Sequence, residues 1–298
     1  MSGGARTELW RRKGGVTLLG FTLRPRKILA EAVIHLPLLL CAVTMLFPLV
    51  WLASSSLKHP GKQFAFPPQI IPNPIYWQNY SELFRLAPMG RFLLNSTKIA
   101  VLSTIGVCLS SSLAAFAFAR MRFRGSRALF AILLSTMMIP GQVTVIPTFV
   151  IMRYLGWIDN HAALIVPSFF GAAFSVFLLR QFYLTIPMDL AESARIDGAN
   201  IFQIFSYIYL PLSKPAMATL GIFTFMWSWN NLLGPLIYVS ELKQMTLTVG
   251  LSFFQNQYGG KWTLMMAGAV VSILPILLVF FFAQKYFIQG IAMTGIKR

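Results

Sequence analysis

Two parts of this chain carry side chains suited to specific recognition. The polar stretch 187–211 contains three of the eight acidic residues of the chain, Asp189, Glu192 and Asp197. Further along, Asn230 and Asn231 stand together beside Trp227 and Trp229, deep in an apolar run. Amides donate and accept hydrogen bonds and an indole offers a flat apolar face, so this second set suits a neutral polyol such as a sugar.

The stretch 187–211 predicts two short helices joined by a turn. Pro187 disfavours helix at the preceding residue, so the helix before it is expected to end there. Asp189 is predicted to cap the next helix, with Glu192 completing a capping box three residues later. Gly198 provides a place to stop or turn. The second helix has apolar residues at helical spacing on one face, at Ile201, Ile204, Phe205 and Ile208.

The two asparagines have two interpretations, which the residue pattern alone leaves open. Polar groups deep in an apolar run are costly unless they form hydrogen bonds. The asparagines either line a polar path or satisfy a helix break before Gly234 and Pro235. Gln142, in a Pro-Gly-Gln cluster within another apolar run, either faces such a path or bonds within its own bundle. The candidate path residues are Gln142, Trp229, Asn230 and Asn231.

Composition identifies the class of protein in which these residues lie. Of 298 residues, 56% are hydrophobic and 11% are charged, against about 25% charged in a soluble domain. Six windows of 20 or more residues lack Asp, Glu, Lys and Arg, and each is long enough to cross a membrane as a helix. The windows are 32–57, 99–119, 128–152, 160–179, 215–240 and 262–284. We therefore predict an all-α, polytopic membrane protein with six transmembrane helices.

The distribution of basic residues orients these spans. Segments 1–30, 120–127, 180–214 and 285–298 together hold 17 Lys and Arg, whereas the intervening segments hold seven, with Lys98 at a membrane edge. Because cytoplasmic segments are enriched in Lys and Arg, both termini and the stretch 187–211 are predicted to be cytoplasmic. The prediction is a basic cytoplasmic tail, 1–30, and a multi-pass domain of the cell membrane, 31–298. Topology and contact with membrane lipid explain the net charge of +17, and no nucleic acid partner is expected.

Several functions are not supported by the residues present. No GxxxxGK[ST] sequence occurs, so the chain is not expected to bind ATP at a P-loop. His35, His59 and His161 lack the spacing of a zinc site, and no metal site is expected. The eight acidic residues lie near membrane edges or in loops, which argues against an ion-coupled carrier and an intramembrane enzyme. If the chain moves a solute across the membrane, these absences favour a partner as the source of energy.

The stretch 187–211 also resembles a known motif. Glu192-Ser193-Ala194, then Asp197-Gly198-Ala199, then Ile208 and Leu210-Pro211, is similar to the EAA loop in permease subunits of binding-protein-dependent ABC importers. Ser193 stands where that family usually has Ala, and a small residue still suits close helix approach. From about Lys58 to the C-terminus, including Trp229-Asn230 and Pro235-Leu236-Ile237, the chain resembles carbohydrate permeases of the maltose, glycerol-phosphate and trehalose type.

The resemblance implies a type I ABC importer permease fold, and a chain that is not itself an enzyme. It implies ATPase coupling through a cytoplasmic loop at about 187–211, with coupling residues Glu192, Ser193, Ala194, Asp197, Gly198 and Ala199. It also implies a second homologous permease, two ATPase subunits or domains that bind ATP and Mg, and an external solute-binding protein. The implied solute is a sugar or a sugar-like compound. Import of another polar solute, such as an amino acid or a polyamine, stays open, as does a secondary carrier or channel.

Overall fold

The computed structural model of this protein describes residues 16–18, 21–23 and 25–295, with side chains from 33 to 284. Within that part of the chain the fold is helical apart from two strands, Val16–Leu18 (β1) and Phe21–Leu23 (β2), which pair antiparallel. The predicted all-α class is therefore confirmed. The chain separates into two compact units, Met1–Ser54 and Ser55–Arg298.

The first unit contains the strand pair and most of helix α1, Pro25–Ser56, which has Pro37 and Pro48 inside it. Its Val33–Ser56 portion is long and apolar enough to cross a membrane. Helix α1 thus begins within the segment 1–30 that was predicted as a basic tail. Most of that segment lies outside the described residues.

The second unit is a succession of helices joined by short turns. In chain order they are α2 (Gln78–Leu86), α3 (Met89–Arg120), α4 (Ser126–Ser135), α5 (Gly141–Tyr154), α6 (Ala162–Ile165), α7 (Ala173–Thr185), α8 (Met188–Ile196), α9 (Ile201–Ile204), α10 (Leu210–Leu212), α11 (Lys214–Trp229), α12 (Leu233–Tyr238), α13 (Leu247–Tyr258) and α14 (Trp262–Gly295). A π-helical turn, Phe205–Tyr209, joins α9 to α10. A 3-10 turn, Val166–Phe170, follows α6 and leads to α7. Another 3-10 turn, Thr136–Met138, follows α4 directly.

By length and composition, four helical stretches of the described chain can cross a membrane: Val33–Ser56, Met89–Arg120, Ala162–Thr185 and Trp262–Gln284. Ser126–Met138 and Gly141–Tyr154 add a fifth if they count as one span, although the two halves bend by 102°. The bend lies at Pro140, where a proline disfavours continuing helix in the residue before it. The predicted window 215–240 holds α11, of 16 residues, and then a break. The structure therefore supports four or five spans, and a count of six stays a prediction.

Small residues place α3 in the interior of the second unit. Half of its most apolar window is buried. The Phe169 ring approaches Gly106 so closely that an added Cβ would lie 2.7 Å from ring atom Cδ2. Ser103 donates to the carbonyl oxygen of Leu164 (3.2 Å). Such close packing and hydrogen bonding hold helices together in lipid, and they place this helix inside the bundle.

Buried side chains form two clusters, one near each end of α3. One includes Phe92, at the start of α3, and Trp229 of α11. The other includes Phe116, near the end of α3, with Tyr183 of α7 and Tyr209 of the π-helical turn. This second cluster packs the segment 201–212 against the spans. It thereby positions the polar stretch 187–211.

Candidate functional site

The polar stretch folds, as predicted, into two short helices joined by a turn; we call residues 187–212 the α8–α9 hairpin. The predicted capping box of Asp189 and Glu192 is wrong, because Pro187 is the N-cap residue, no side chain caps α8, and Asp189 lies in its first turn. The proline ring fixes φ at −56°, which allows the helix to start before Asp189. A capping box forms instead at α9, where Asn200 and Gln203 exchange bonds of 2.8 and 2.9 Å.

The turn between α8 and α9 depends on Gly198, whose φ is +86°. The Gly198 amide donates to the carbonyl oxygen of Arg195 (3.1 Å), and the Ala199 amide donates to that of Ala194 (2.9 Å). These two bonds form the Schellman motif, in which a helix ends on a left-handed residue that is usually glycine. The prediction that Gly198 ends the first helix is confirmed.

The predicted coupling residues occupy two environments. Half-buried positions, which pack against the cluster around Phe116, are Ala194 and Ala199. Exposed positions are Glu192, Ser193, Asp197 and Gly198. Large apolar side chains stand exposed on the same hairpin, with Ile196 exposed to 87% and Phe202 to 67%. The hairpin is therefore packed on one side and presents a mixed acidic and apolar surface on the other.

Arg120, the last residue of α3, contacts the base of the hairpin. Its Nη2 atom donates to the carbonyl oxygens of Tyr183 (2.5 Å) and Ile186, and Nη1 lies 2.8 Å from Sδ of Met188. Its guanidinium carbon lies 5.2 Å from the centre of the Tyr209 ring. Burial raises the pKa of the Tyr209 phenol, and the charge of Arg120 opposes that rise. From the sequence, Arg120 is one of four arginines in a basic turn, and nothing there predicts these contacts.

A cavity of about 440 Å³ lies between α8 and the end of α3. Three arginines and one acid contribute to its wall, together with apolar and aromatic side chains. They include Arg120, Arg122, Arg195, Glu192, Phe116 and Tyr209. The hairpin thus encloses a charged hollow on the side that faces α3.

The asparagine pair lies at a break between α11 and α12. Nδ2 of Asn230 donates to the carbonyl oxygen of Met226 (2.8 Å), and Oδ1 of Asn231 accepts from the amide of Gly234 (3.1 Å). Both side chains therefore satisfy helix ends, as the second interpretation of the pair requires. Asn230 is also exposed. Among the described residues, none donates a hydrogen bond to its Oδ1 atom, which remains able to accept one from a ligand.

A second cavity, of about 540 Å³, adjoins this break. Its wall contains the two asparagines and one indole among apolar side chains, and none of its residues is charged: Phe223, Met226, Trp227, Asn230, Asn231, Leu232 and Leu233. Trp227 is 81% exposed, whereas Trp229 is 2% exposed. Trp229 points into the core, where Nε1 donates to the carbonyl oxygen of Ser272 (3.0 Å). The structure therefore brings Asn230 and Asn231 together with Trp227, and it places Trp229 behind them.

Gln142 lies in the first turn of α5 and is exposed, but it does not line this cavity. Helix α5 is nevertheless a neighbour of α12. The Tyr238 hydroxyl donates to Oγ1 of Thr148 (3.1 Å), and its ring stacks on Phe149 with centroids 6.4 Å apart. Helix α5, which carries Gln142, is thus adjacent to the helix that follows the asparagine pair, although Gln142 and the pair are not in one pocket.

Comparison with known proteins identifies the family. A family model described as "Binding-protein-dependent transport system inner membrane component" matches residues 106–293, which include the hairpin and the asparagine pair. The chain belongs to this family. It is a permease subunit of an ABC importer, as the EAA-like stretch implies.

Relatives and solved structures match most of this permease. It is 34% identical over 262 residues to the arabinooligosaccharides transport system permease protein AraQ of Bacillus subtilis, across 87% of this chain and 93% of that protein. It is 34% identical over 274 residues to the osmoprotective compounds uptake permease protein GgtD of Synechocystis, across 89% and 91%. A chain in the crystal structure of a bacterial ABC transporter involved in the import of the acidic polysaccharide alginate is 26% identical, with a TM-score of 0.76 and coverage of 90% and 99%.

The position of Trp229 predicts that this side chain supports the permease through packing. Trp229→Phe keeps an aromatic ring beside Phe225 but removes the hydrogen bond to Ser272, at an expected cost of about 0.5–1.5 kcal/mol. Trp229→Ala also leaves a cavity and is expected to cost about 3–5 kcal/mol. We expect a lower thermal unfolding midpoint in detergent for both variants, with the apparent affinity for solute unchanged in Trp229→Phe. A changed affinity at unchanged thermal stability would instead place this indole in the path.

Asp159 joins two loops of the permease on the side away from the hairpin. Its φ is +56°, which is uncommon for a residue other than glycine. Its Oδ1 atom accepts from the backbone amides of Ser240 (2.5 Å) and Glu241 (2.9 Å), and its own amide donates to the carbonyl oxygen of Tyr238 (2.8 Å). These amide donors lower the pKa of the Asp159 carboxyl.

The lowered pKa of Asp159 predicts a pH-dependent loop contact. A carboxyl whose pKa is lower in the folded state stabilises that state above its ordinary pKa, and the contribution is lost as the pH falls through the folded-state pKa. We expect hydrogen-exchange protection of the Ser240 and Glu241 amides, corrected for intrinsic rates, to decrease over that acidic range. Asp159→Asn is expected to remove the dependence and to reduce protection at neutral pH. Equal protection in both proteins at all pH values would contradict the assignment.

Proposed function

We propose that this permease imports a neutral sugar or a short oligosaccharide, with ATP and Mg bound by separate ATPase subunits. The observation that carries the proposal is the uncharged cavity at the helix break, where Trp227 and Asn230 stand among apolar side chains. An exposed indole face and free amide atoms are the groups that bind a hydroxylated ring. The names of the relatives AraQ and the alginate importer support a carbohydrate.

The second part of the proposal is that the α8–α9 hairpin docks in a cleft of the ATPase, through Glu192, Ser193, Ala194, Asp197, Gly198 and Ala199. Exposed Ile196 and Phe202 support a protein partner, because apolar side chains clustered on a surface mark interaction sites. Ala191 and Ala194 of α8 pack against the buried cluster that includes Phe116 of α3 and Tyr183 of α7. A force on the exposed side of this helix is therefore passed to the spans through that cluster.

The proposed assembly contains a second homologous permease, two ATPase subunits or domains and an external solute-binding protein. A bacterial alginate transporter of the same fold, with a chain 18% identical at a TM-score of 0.63, was solved in complex with a pentasaccharide-bound periplasmic protein. We propose that both termini and the hairpin face the cytoplasm. The bent pair α4–α5 and the broken pair α11–α12 then each cross once, which completes six spans.

The assembly is tested by isolating the complex from its native membrane through an affinity tag on this chain. We expect an ATPase and a second permease to co-purify, and the mass of the intact complex to fit one copy of each permease with two ATPases. Reconstituted vesicles are expected to take up a labelled arabinose oligosaccharide only with internal ATP and an external binding protein. Uptake by this chain alone, driven by an ion gradient, would refute the proposal.

A polar solute that is not a sugar is the second candidate. It is favoured by GgtD, whose name specifies osmoprotective compounds, and by the sn-glycerol-3-phosphate permease protein UgpE of Yersinia pestis, which is 32% identical over 265 residues. The uncharged cavity favours a neutral compound over an anionic one, because it holds no cationic group to pair with a phosphate. A competition experiment distinguishes the two candidates. Unlabelled oligosaccharide is expected to block uptake of the labelled arabinose oligosaccharide at concentrations at which glycerol phosphate does not.

A further inference from the structure

A single guanidinium joins the end of α3 to the end of α7. The last carbonyl groups of a helix have no partner within it, and they carry the partial negative charge of the helix dipole. Nη2 of Arg120 donates to the carbonyl oxygen of Tyr183, which also accepts from the Ile186 amide (3.2 Å), and to that of Ile186, the residue that follows the helix. A guanidinium suits this position because its N–H groups form a rigid, delocalised fork. Arg120 therefore caps α7 from a neighbouring helix.

The same side chain reaches the two elements that follow α7. Nη1 lies 2.8 Å from Sδ of Met188, the first residue of α8, and the guanidinium lies against the Tyr209 ring at 5.2 Å. Between α7 and α8 stands Pro187, which has no N–H group with which to tie the two helices together. The junctions at both ends of the hairpin therefore share one cation, and that cation belongs to α3.

Helix α3 connects this junction with the cavity at the helix break. It packs along α7 and along α11. The contact with α11 is close, since a Cβ on Gly221 would lie 3.7 Å from Cγ2 of Thr104. The far end of α11 is the break that carries Asn230. A continuous series of packed elements thus runs from the hairpin through Arg120 and α3 to the candidate solute site.

We propose that Arg120 is a positioning residue that transmits displacement of the α8–α9 hairpin to α3. The proposal rests on the proposed function, in which the hairpin is the docking site of the ATPase. Docking uses the exposed atoms of the hairpin, whereas Arg120 donates to carbonyl oxygens at its base, those of Tyr183 and Ile186. Removal of the guanidinium therefore leaves the ATPase bound and interrupts the mechanical connection.

The test compares Arg120→Ala with Arg124→Ala in the tagged complex. Arg124 lies in the same basic turn and is exposed, so its removal takes away the same charge at the same membrane edge. For Arg120→Ala we expect normal recovery of ATPase and normal basal hydrolysis. Stimulation of hydrolysis by solute-loaded binding protein is expected to be lost, and uptake to fall roughly 10- to 100-fold, as for loss of charge-assisted hydrogen bonds. Arg124→Ala is expected to behave as the unmodified complex.

Arg120→Lys keeps the test decisive if the alanine variant does not assemble. Lysine retains the charge but lacks the fork of N–H groups that donates to two carbonyl oxygens. We therefore expect the Arg120→Lys complex to keep its ATPase and to take up solute at a rate between those of the wild type and the alanine variant. The proposal would be overturned if the Arg120 variants showed the same solute uptake, and the same stimulation of ATP hydrolysis by binding protein, as Arg124→Ala. Loss of ATPase from the Arg120→Lys complex would also overturn it, since the residue would then serve docking. Absence of ATPase from the unmodified complex would refute the coupling function itself, before any substitution is made.

Discussion

Gly198→Val is expected to lower solute uptake roughly tenfold or more while the permease still inserts and assembles. Gly198 has φ of +86°, and no atom lies within 4 Å of the position that a Cβ would take. The cost therefore comes from backbone strain, on the order of 1–3 kcal/mol for a residue forced into this region. The chain can relieve it by opening the Schellman turn, which changes the direction in which α9 leaves α8. A hairpin with a changed angle still folds but transmits force poorly.

The measurement is the ratio of uptake to ATP hydrolysis in reconstituted complex. Gly198→Val is expected to hydrolyse ATP with little dependence on solute-loaded binding protein. The chain offers a matched control in Gly61, which has φ of +87° and equally open surroundings in the segment between α1 and α2. Gly61→Val introduces the same strain far from the hairpin and is expected to leave the ratio unchanged. Wild-type uptake and wild-type ATPase recovery in Gly198→Val would show that the hairpin is not the coupling element.

Asn230→Ala is expected to raise the solute concentration for half-maximal uptake about 5- to 150-fold, with the ATPase still coupled. The range corresponds to about 1–3 kcal/mol for leaving a bonded partner on the solute unsatisfied. Asn230 is exposed beside Trp227 and lines the uncharged cavity, and its Oδ1 atom is free among the described residues. Its Nδ2 bond to Met226 is local, so its loss is expected to affect assembly little.

Asn256→Ala is the control for removing an exposed amide, because Asn256 lies on α13 and does not line that cavity. Asn231→Ala is a poorer probe, since its Oδ1 atom accepts from the Gly234 amide and its loss would disturb the helix break. Gln142→Ala is also predicted to lower uptake, with a smaller effect because Gln142 stands outside the cavity. If Asn230→Ala and Asn256→Ala both need the same solute concentration for half-maximal uptake as the wild type, this cavity is not in the solute path.

The class of the protein and the form of its hairpin follow from local properties of the chain. Long apolar windows require a membrane, because no soluble core could cover them. The α8–α9 hairpin could be predicted because proline and left-handed glycine impose their backbone angles on the residues that carry them. Only the position of the cap was misjudged, since Pro187 and Asp189 both favour a helix start and the proline comes first.

The contacts that make the site specific were decided by the tertiary structure. Trp227 and Trp229 are two positions apart, which is about 200° around a helix, so they face nearly opposite directions. Because α11 is apolar all round, periodicity cannot indicate which indole is buried, and the packing of Trp229 against α14 decides it. Arg120 is similar: its partners are the carbonyl oxygens of Tyr183 and Ile186, more than 60 positions along the chain. Backbone carbonyls are present at every residue, so only the approach of α3 to the end of α7 selects these two.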